Sequence, residues 1–298
     1  MNRRQALAAS AAALGLGAFP LGWTPAQDKA RRKVLMFTRS QGFEHSVVKR
    51  SAPDKLAHAE QILTDLGAKA GFDVTCTKDG RVFLPETIAQ YDAFFFYTTG
   101  DLTKEGTDKQ PPMPVEGKAA LIKAVASGKG FLGSHCATDT FHSAGDRFVN
   151  QERDKVDPYI AMIGAEFIRH GSQQKAFMRV VDNAFPGAKD LKDFEMHEEW
   201  YALKNFAPDL HVILVQDTMG MKDADYQRPN YPATWARPYE KGRVFYTSMG
   251  HREDVWTNKN FQELVLGALA WACKNVDADV TPNLEKVTPK AGELPAKK

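Results

Sequence analysis

The stretch Lys129-Gly130-Phe131-Leu132-Gly133-Ser134-His135-Cys136-Ala137-Thr138-Asp139-Thr140-Phe141-His142 constrains the fold more than any other part of the chain. Its first half is a short apolar run between glycines, without the alternation of a strand that is wet on one side. A strand covered on both faces reads this way, and such strands belong to parallel sheets sandwiched between helices. Its second half gathers His135, Cys136, Asp139 and His142 within eight residues. Ligands of open α/β sheets bind outside the carboxyl ends of the strands, so 135–142 is where chemistry is expected. The stretch holds no metal-ligand spacing or nucleophile signature that is decisive by itself.

The rest of the chain alternates in the same style. Residues 34–38 form a compact apolar strand, followed by a loop over 39–46. A helix is predicted from Pro53, a favoured first helical position, with Leu56, Ala59, Ile62, Leu63 and Leu66 on one face. Residues 72–77 alternate as a second strand, and 91–98, with consecutive phenylalanines, read as a buried third. A proline-rich loop at 111–114 leads into a helix over 116–126, which Gly128 ends. This order implies a parallel, doubly wound sheet with right-handed crossovers. Further on, 157–167 reads as a helix, and 175–182 and 211–216 read as strands. Strand-like runs at 231–239 and 243–249, joined by Glu240-Lys241-Gly242, predict a hairpin. A last helix over 260–274 places Phe261, Leu264, Val265, Ala268, Leu269 and Ala272 at helical spacing. The expected fold class is therefore α/β, a mostly parallel sheet flanked by helices in a flavodoxin-like three-layer sandwich, with a C-terminal β-hairpin.

The first 26 residues stand outside this pattern. Arg3-Arg4 precedes an apolar run rich in Ala, Leu and Gly that is too short for a stable membrane span. This reads as a twin-arginine export signal with cleavage near Ala26, so a periplasmic or secreted protein is expected. The formal charge of +2 includes those two arginines, so 2 − 2 leaves a neutral mature chain. Mixed charge of that kind offers no electrostatic case for nucleic acid or for stable membrane association. One domain is expected over 31–276, followed by a mobile Pro- and Lys-rich tail over 277–298. Cys76, Cys136 and Cys273 are too few and too scattered for a disulfide framework, although one bridge is open to them.

The segments Gly42-Phe43-Glu44-His45, Gly130-Phe131-Leu132-Gly133-Ser134-His135, Glu198-Glu199-Trp200-Tyr201 and Pro232-Ala233-Thr234-Trp235-Ala236-Arg237 resemble the ThuA-like family, named for trehalose utilisation. The resemblance continues through Gly242-Arg243-Val244-Phe245-Tyr246-Thr247-Ser248-Met249-Gly250-His251, the most specific of these segments. It implies a fold similar to class I glutamine amidotransferases and a place in carbohydrate metabolism. Those amidotransferases carry a nucleophilic Cys in a Gly-x-Cys-x-Gly turn and a later His-x-Glu pair. Here His135 stands where the nucleophile would be, Cys136 is one residue late, and Ala137 replaces the following glycine. A one-residue shift turns the side chain away from the site. His251-Arg252-Glu253 does match the His-x-Glu pair, so the partner survives without its nucleophile.

His45, His135 and His251 each follow a predicted strand end, and such ends converge on one pocket in this architecture. With Glu199 and Asp139 they form a set suited to general acid/base chemistry or to holding a divalent metal. His135, His251 and Glu199 are the catalytic candidates. The metal candidates are His45, His135 and His251. Glu253 is expected to orient the imidazole of His251, two residues earlier. Extended backbone over 197–201 puts His197, Glu199 and Tyr201 on one face, and Trp235 and Arg237 share a face of the hairpin. Tyr201, Trp235 and Arg237, with His45, Asp139 and His142, are the candidate substrate contacts, since acids and rings together suit a sugar. Asp139 has a competing reading as a helix N-cap, while His58, His170 and His211 are read as structural. The leading expectation is an exported enzyme acting on a sugar or oxidised sugar derivative, with a small carbohydrate as partner and a homo-oligomer left open. The alternatives are a non-catalytic sugar-binding or accessory domain, and a hydrolase using Cys136.

Overall fold

The computed structural model describes residues 31–296; the expected signal segment, with Arg3 and Arg4, lies outside the described residues. In chain order the elements are β1 (Arg32–Phe37), α1 (His58–Ala70), β2 (Phe72–Thr77), α2 (Pro85–Ile88), β3 (Ala93–Phe96), α3 (Val115–Ala126), β4 (Gly130–Ser134), α4 (Pro158–Ile163) and β5 (Glu166–His170). They continue through β6 (Gln174–Val180), β7 (Phe194–Glu198), β8 (Tyr201–Lys204), β9 (His211–Asp217), β10 (Tyr231–Tyr239) and β11 (Gly242–Thr247). Helices α5 (Glu253–Trp256), α6 (Lys259–Ala272) and α7 (Leu284–Val287) complete the chain.

Nine strands form one mixed sheet in the order β2-β1-β3-β4-β11-β10-β9-β6-β7. The half from β2 to β11 is parallel, and the half from β11 to β7 is antiparallel. A separate antiparallel pair joins β5 to β8. The central strands β3 and β4 are buried along their whole length, which explains their lack of alternation. Gly130 and Gly133 of β4 face opposite layers, as odd spacing on a strand requires. A Cβ at Gly130 would lie 2.8 Å from the Ala272 carbonyl oxygen of α6, and one at Gly133 would lie 2.9 Å from the Ile163 side chain of α4. The sandwich closes tightly on β4, and that closeness is why the organising strand is punctuated by glycine. The fold is α/β and flavodoxin-like.

Four features depart most from the sequence expectation. Helix α1 starts at His58 rather than at Pro53, because the Glu60 carboxylate reaches back to accept from the Ala57 N–H at 2.8 Å. The predicted helix over 157–167 ends at Ile163; Gly164 stops it, and β5 begins at Glu166. The extended run expected over 197–201 breaks after Glu198, and β8 then joins the other sheet. The tail expected to be mobile is docked as far as it is described. Asn283 takes and gives hydrogen bonds with Val212, and the Ala291 carbonyl accepts from the buried Arg228 guanidinium at 2.6 Å. These polar anchors compensate for the tail's shortage of large apolar residues.

Candidate functional site

Three loops at the carboxyl ends of parallel strands supply histidines to one place, as the sheet topology dictates. His45 comes from the loop after β1, His135 directly follows β4, and His251 lies shortly after β11. The imidazole centroids of His45, His135 and His251 are each 5.1 Å from the other two. Glu199, just beyond β7, closes the group: its Oε2 is 3.1 Å from His251 Nδ1 and 3.5 Å from His135 Nε2. His135 Nε2 and His251 Nδ1 are 3.3 Å apart. One ligand atom from each of His45, His135, Glu199 and His251 lies within 4.8 Å of all the others.

His135 and His251 are held from behind. His135 adopts φ +45°, uncommon for a residue with a side chain, and the Tyr246 hydroxyl fixes it by donating to its carbonyl at 2.7 Å. Its Nδ1–H donates to the Ser248 carbonyl at 3.1 Å, which leaves the Nε2 lone pair facing the cluster. Gly250 turns at φ +122°, with its carbonyl accepting from both the Tyr97 hydroxyl and the Trp256 indole. His251 Nε2 lies 2.9 Å from the Gln173 side-chain amide nitrogen, and Arg252 orients that amide by donating to its oxygen. Nδ1 of His45 is buried and has no hydrogen-bond partner among the described residues. Tyr201, expected to touch substrate, instead backs the cluster, with its ring 4.2 Å from that of His135 and only 3% of its surface exposed.

Electrostatics divide the histidines. Burial, then the neighbouring His135 and His251, drive the His45 pKa well below its ordinary value. Burial also lowers His135, against the pull of Glu199. For His251 burial again opposes the charge, yet the Glu199 carboxylate, helped by Glu198 and Glu253, leaves it raised. Burial works against ionised Glu199 as well, but its side-chain contacts with His135 and His251 hold its pKa down. The cluster thus combines two neutral imidazoles, an anionic carboxylate and one imidazole poised to carry a proton.

Several expected contacts lie elsewhere. Trp235 is fully buried, and its indole donates to the Ile163 carbonyl. Arg237 donates to the carbonyls of Ala161 and Met162 and to Asp209, so both residues fasten α4 to the hairpin rather than face a ligand. Asp139 ends a 3₁₀ turn over His135–Asp139 instead of capping a helix. It pairs with His142 Nε2 at 3.0 Å, and His142 Nδ1 reaches Glu166 at 3.3 Å. Glu253 turns away from His251 and accepts from the Ser46 hydroxyl at 2.6 Å; Glu199 takes the orienting role instead. His170, read as structural, lies at the rim with its Nδ1 3.4 Å from Glu199 Oε1 and 43% of its side chain exposed.

Sequence reasoning also passed over Glu198, whose side chain is wholly buried. Its carboxylate accepts the backbone N–H groups of Gly250 at 2.6 Å, His251 at 3.0 Å and Glu199 at 3.1 Å. Burial pushes it up to about 7 against those donors. The adjacent acid in Glu198-Glu199 was the signal available, since consecutive residues of extended chain face opposite ways.

The His142 bridge yields a pH prediction. Burial opposes the charge on His142, but Asp139 and Glu166 outweigh it and raise its pKa to about 9, with Lys204 behind Glu166 as the facing cation. The folded pKa lies above the ordinary value of about 6.5, so the bridge's stability is complete below that pH and is lost as pH rises through 9. His142 and Asp139 are partly exposed and so screened, and the effect should stay below about 1 kcal/mol. Thermal melts of His142→Asn should lack the decline that the parent shows between those pH values. Parallel pH profiles for the two proteins would contradict the bridge.

All three cysteines are free. Cys136 is fully buried, and that burial raises its thiol pKa well above the ordinary value, the reverse of an activated nucleophile. Cys136→Ala is expected to keep activity within a few-fold at a stability cost of about 1 kcal/mol. Loss of all activity in a folded Cys136→Ala protein would restore the thiol to the site.

Comparison with known proteins agrees with this architecture. The ThuA family model, described as trehalose utilisation, matches residues 33–272. A ThuA-like protein from Bacteroides uniformis superposes with a TM-score of 0.60 at 18% identity, over 86% of this chain and 95% of its own. A ThuA-like protein from Parabacteroides merdae gives 0.55 at 16% identity, over 90% and 98%. At such identities the likeness to both structures establishes the fold. No curated protein matches the chain in sequence. The family match spans every strand that brings a histidine to the cluster, and by it the chain belongs to the ThuA family, of trehalose utilisation and carbohydrate metabolism in general.

Proposed function

We propose that this chain is an exported enzyme acting on a sugar or oxidised sugar derivative, with His45, His135, Glu199 and His251 as ligands of a divalent cation. The observation that carries the reading is the convergence of four donor atoms within 4.8 Å. Ligand atoms at the corners of a tetrahedron with 2.0–2.1 Å bonds stand roughly 3.3–3.4 Å apart. The separations among His135, Glu199 and His251, at 3.1, 3.3 and 3.5 Å, bracket that value, and His45 lies within the same 4.8 Å. The unpartnered, buried His45 Nδ1 and the Ser248 carbonyl that fixes the His135 tautomer also fit such a site. A bound cation supplies Lewis-acid polarisation of a substrate hydroxyl or carbonyl oxygen.

The chain's own residues do the rest. Glu199 supplies the negative charge that offsets a cation, and Tyr201 seals the rear of His135 from water. His170, outside the four ligands and open to solvent, is placed to take or give a proton at the mouth. A metal-free acid/base reading is favoured by one observation, the direct Glu199–His251 pair at 3.1 Å. Purified protein, stripped with a chelator and assayed on a panel of glucosides and their oxidised derivatives, separates the two. Activity that vanishes on stripping and returns with zinc or manganese supports the metal; undiminished activity supports the acid/base pair. Inactivity throughout favours an accessory sugar-binding role.

Export rests on Arg3-Arg4 ahead of the apolar run. Changing both to Lys should leave full-length precursor in the cytoplasm, as read by cell fractionation. Normal export of the double-Lys protein would remove the signal assignment.

A further inference from the structure

Phe43 is 68% exposed, although it lies two residues from the buried His45. Leaving a phenyl ring in water forgoes most of the hydrophobic stabilisation that its burial would contribute. A slack loop could fold the ring inward, but this loop is pinned. The Gln41 N–H donates to the Thr99 carbonyl at 2.9 Å, and the Gly42 N–H donates to the Thr99 hydroxyl at 3.2 Å. That hydroxyl in turn donates to the Phe43 carbonyl at 3.1 Å, and the Thr107 hydroxyl donates to the Gly42 carbonyl. The exposure is thus built into the backbone on both sides of the ring.

The ring's position is specific. Its centroid is 4.9 Å from that of His45 in an edge-on contact with an interplanar angle of 88°. The other exposed phenylalanine among the described residues, Phe177, belongs to β6 in the antiparallel half of the sheet. Phe43 therefore stands beside the four-residue cluster with its apolar surface presented to solvent. The negative face of a phenyl ring attracts weakly positive C–H groups. A pyranose with equatorial hydroxyls presents axial C–H groups on each face, whereas its oxygens point outward around the rim. Seated on Phe43, such a ring would direct rim oxygens toward the histidines.

We propose that Phe43 is the stacking platform for a neutral glucopyranosyl unit of the substrate, setting both its affinity and its orientation over the cluster. The proposal rests on the sugar-directed reading of the site given above. It makes Phe43 a substrate-binding residue with no part in holding a metal.

The test uses the mature chain with zinc added, trehalose as the probe and saturation-transfer difference NMR as the readout. Zinc binding is titrated in parallel on the same proteins. Wild type should transfer saturation mainly to the protons on one face of the glucosyl ring. Phe43→Ala should weaken trehalose binding roughly 5- to 10-fold with unchanged zinc affinity and melting temperature. Phe43→Trp, which keeps a platform, should retain binding. Trehalose binding that is equal in wild type and Phe43→Ala, or absent from wild type, overturns the platform. Phe43-dependent trehalose binding without zinc binding would leave the platform standing and remove the metal site.

Discussion

His251→Ala is expected to lower turnover at least ~100-fold, the lower range for losing an acid/base group, while the protein stays folded. The imidazole meets Glu199, His135 and Gln173 at once, so its loss leaves the cluster without one donor and Glu199 without its closest partner. The backbone that presents it is held independently. Glu198 accepts its N–H, and Tyr97 and Trp256 hold the preceding carbonyl. The side chain is also partly exposed, so truncation opens no closed core cavity. Melting and turnover measured on one preparation, with any substrate the panel identifies, check this. A fully active variant, or one that cannot fold, would remove His251 from the site.

The largest stability effect is expected at Glu198. Replacing it by Ala leaves the N–H groups of Gly250, His251 and Glu199 without their acceptor in a buried turn. Each orphaned buried donor costs about 1–3 kcal/mol, and partial relaxation brings the whole to about 2–5 kcal/mol. Because the turn also presents His251, activity should fall with stability. Glu198→Gln keeps an acceptor oxygen of the same reach and should recover most of both. Urea unfolding of the two variants is the measurement. Equal stability of Glu198→Ala and the parent would show that the carboxylate does not hold the turn.

The parallel half of the fold was legible because burial on both faces leaves a plain mark, as in Phe94, Phe95 and Phe96 of β3. Second strand and hairpin were legible through alternation and turn residues. The β7–β8 break was not, since nothing in His197-Glu198-Glu199-Trp200-Tyr201 announces that the chain changes sheets there. That change decides the chemistry, for it buries Glu198 behind the His251 turn and leaves Glu199 to face the imidazoles. The convergence of His45, His135 and His251 could be argued from strand ends alone, because topology fixes where those ends lie. Side-chain partners could not. Glu253 is nearer to His251 in sequence, yet the helical turn of α5 directs it to Ser46. Trp235 and Arg237 share a strand face as expected, but that face meets α4, a layer that periodicity on the strand cannot identify.

The most direct test of the metal-site claim is calorimetric titration of chelator-stripped protein with zinc. One ion should bind per chain, with proton release as the ligands give up their hydrogens. That site should be lost in His135→Ala and in Glu199→Ala but retained in Cys136→Ala. Absence of stoichiometric binding in the parent protein, or binding unchanged in the His135 and Glu199 variants, would contradict the assignment of this cluster as a cation site.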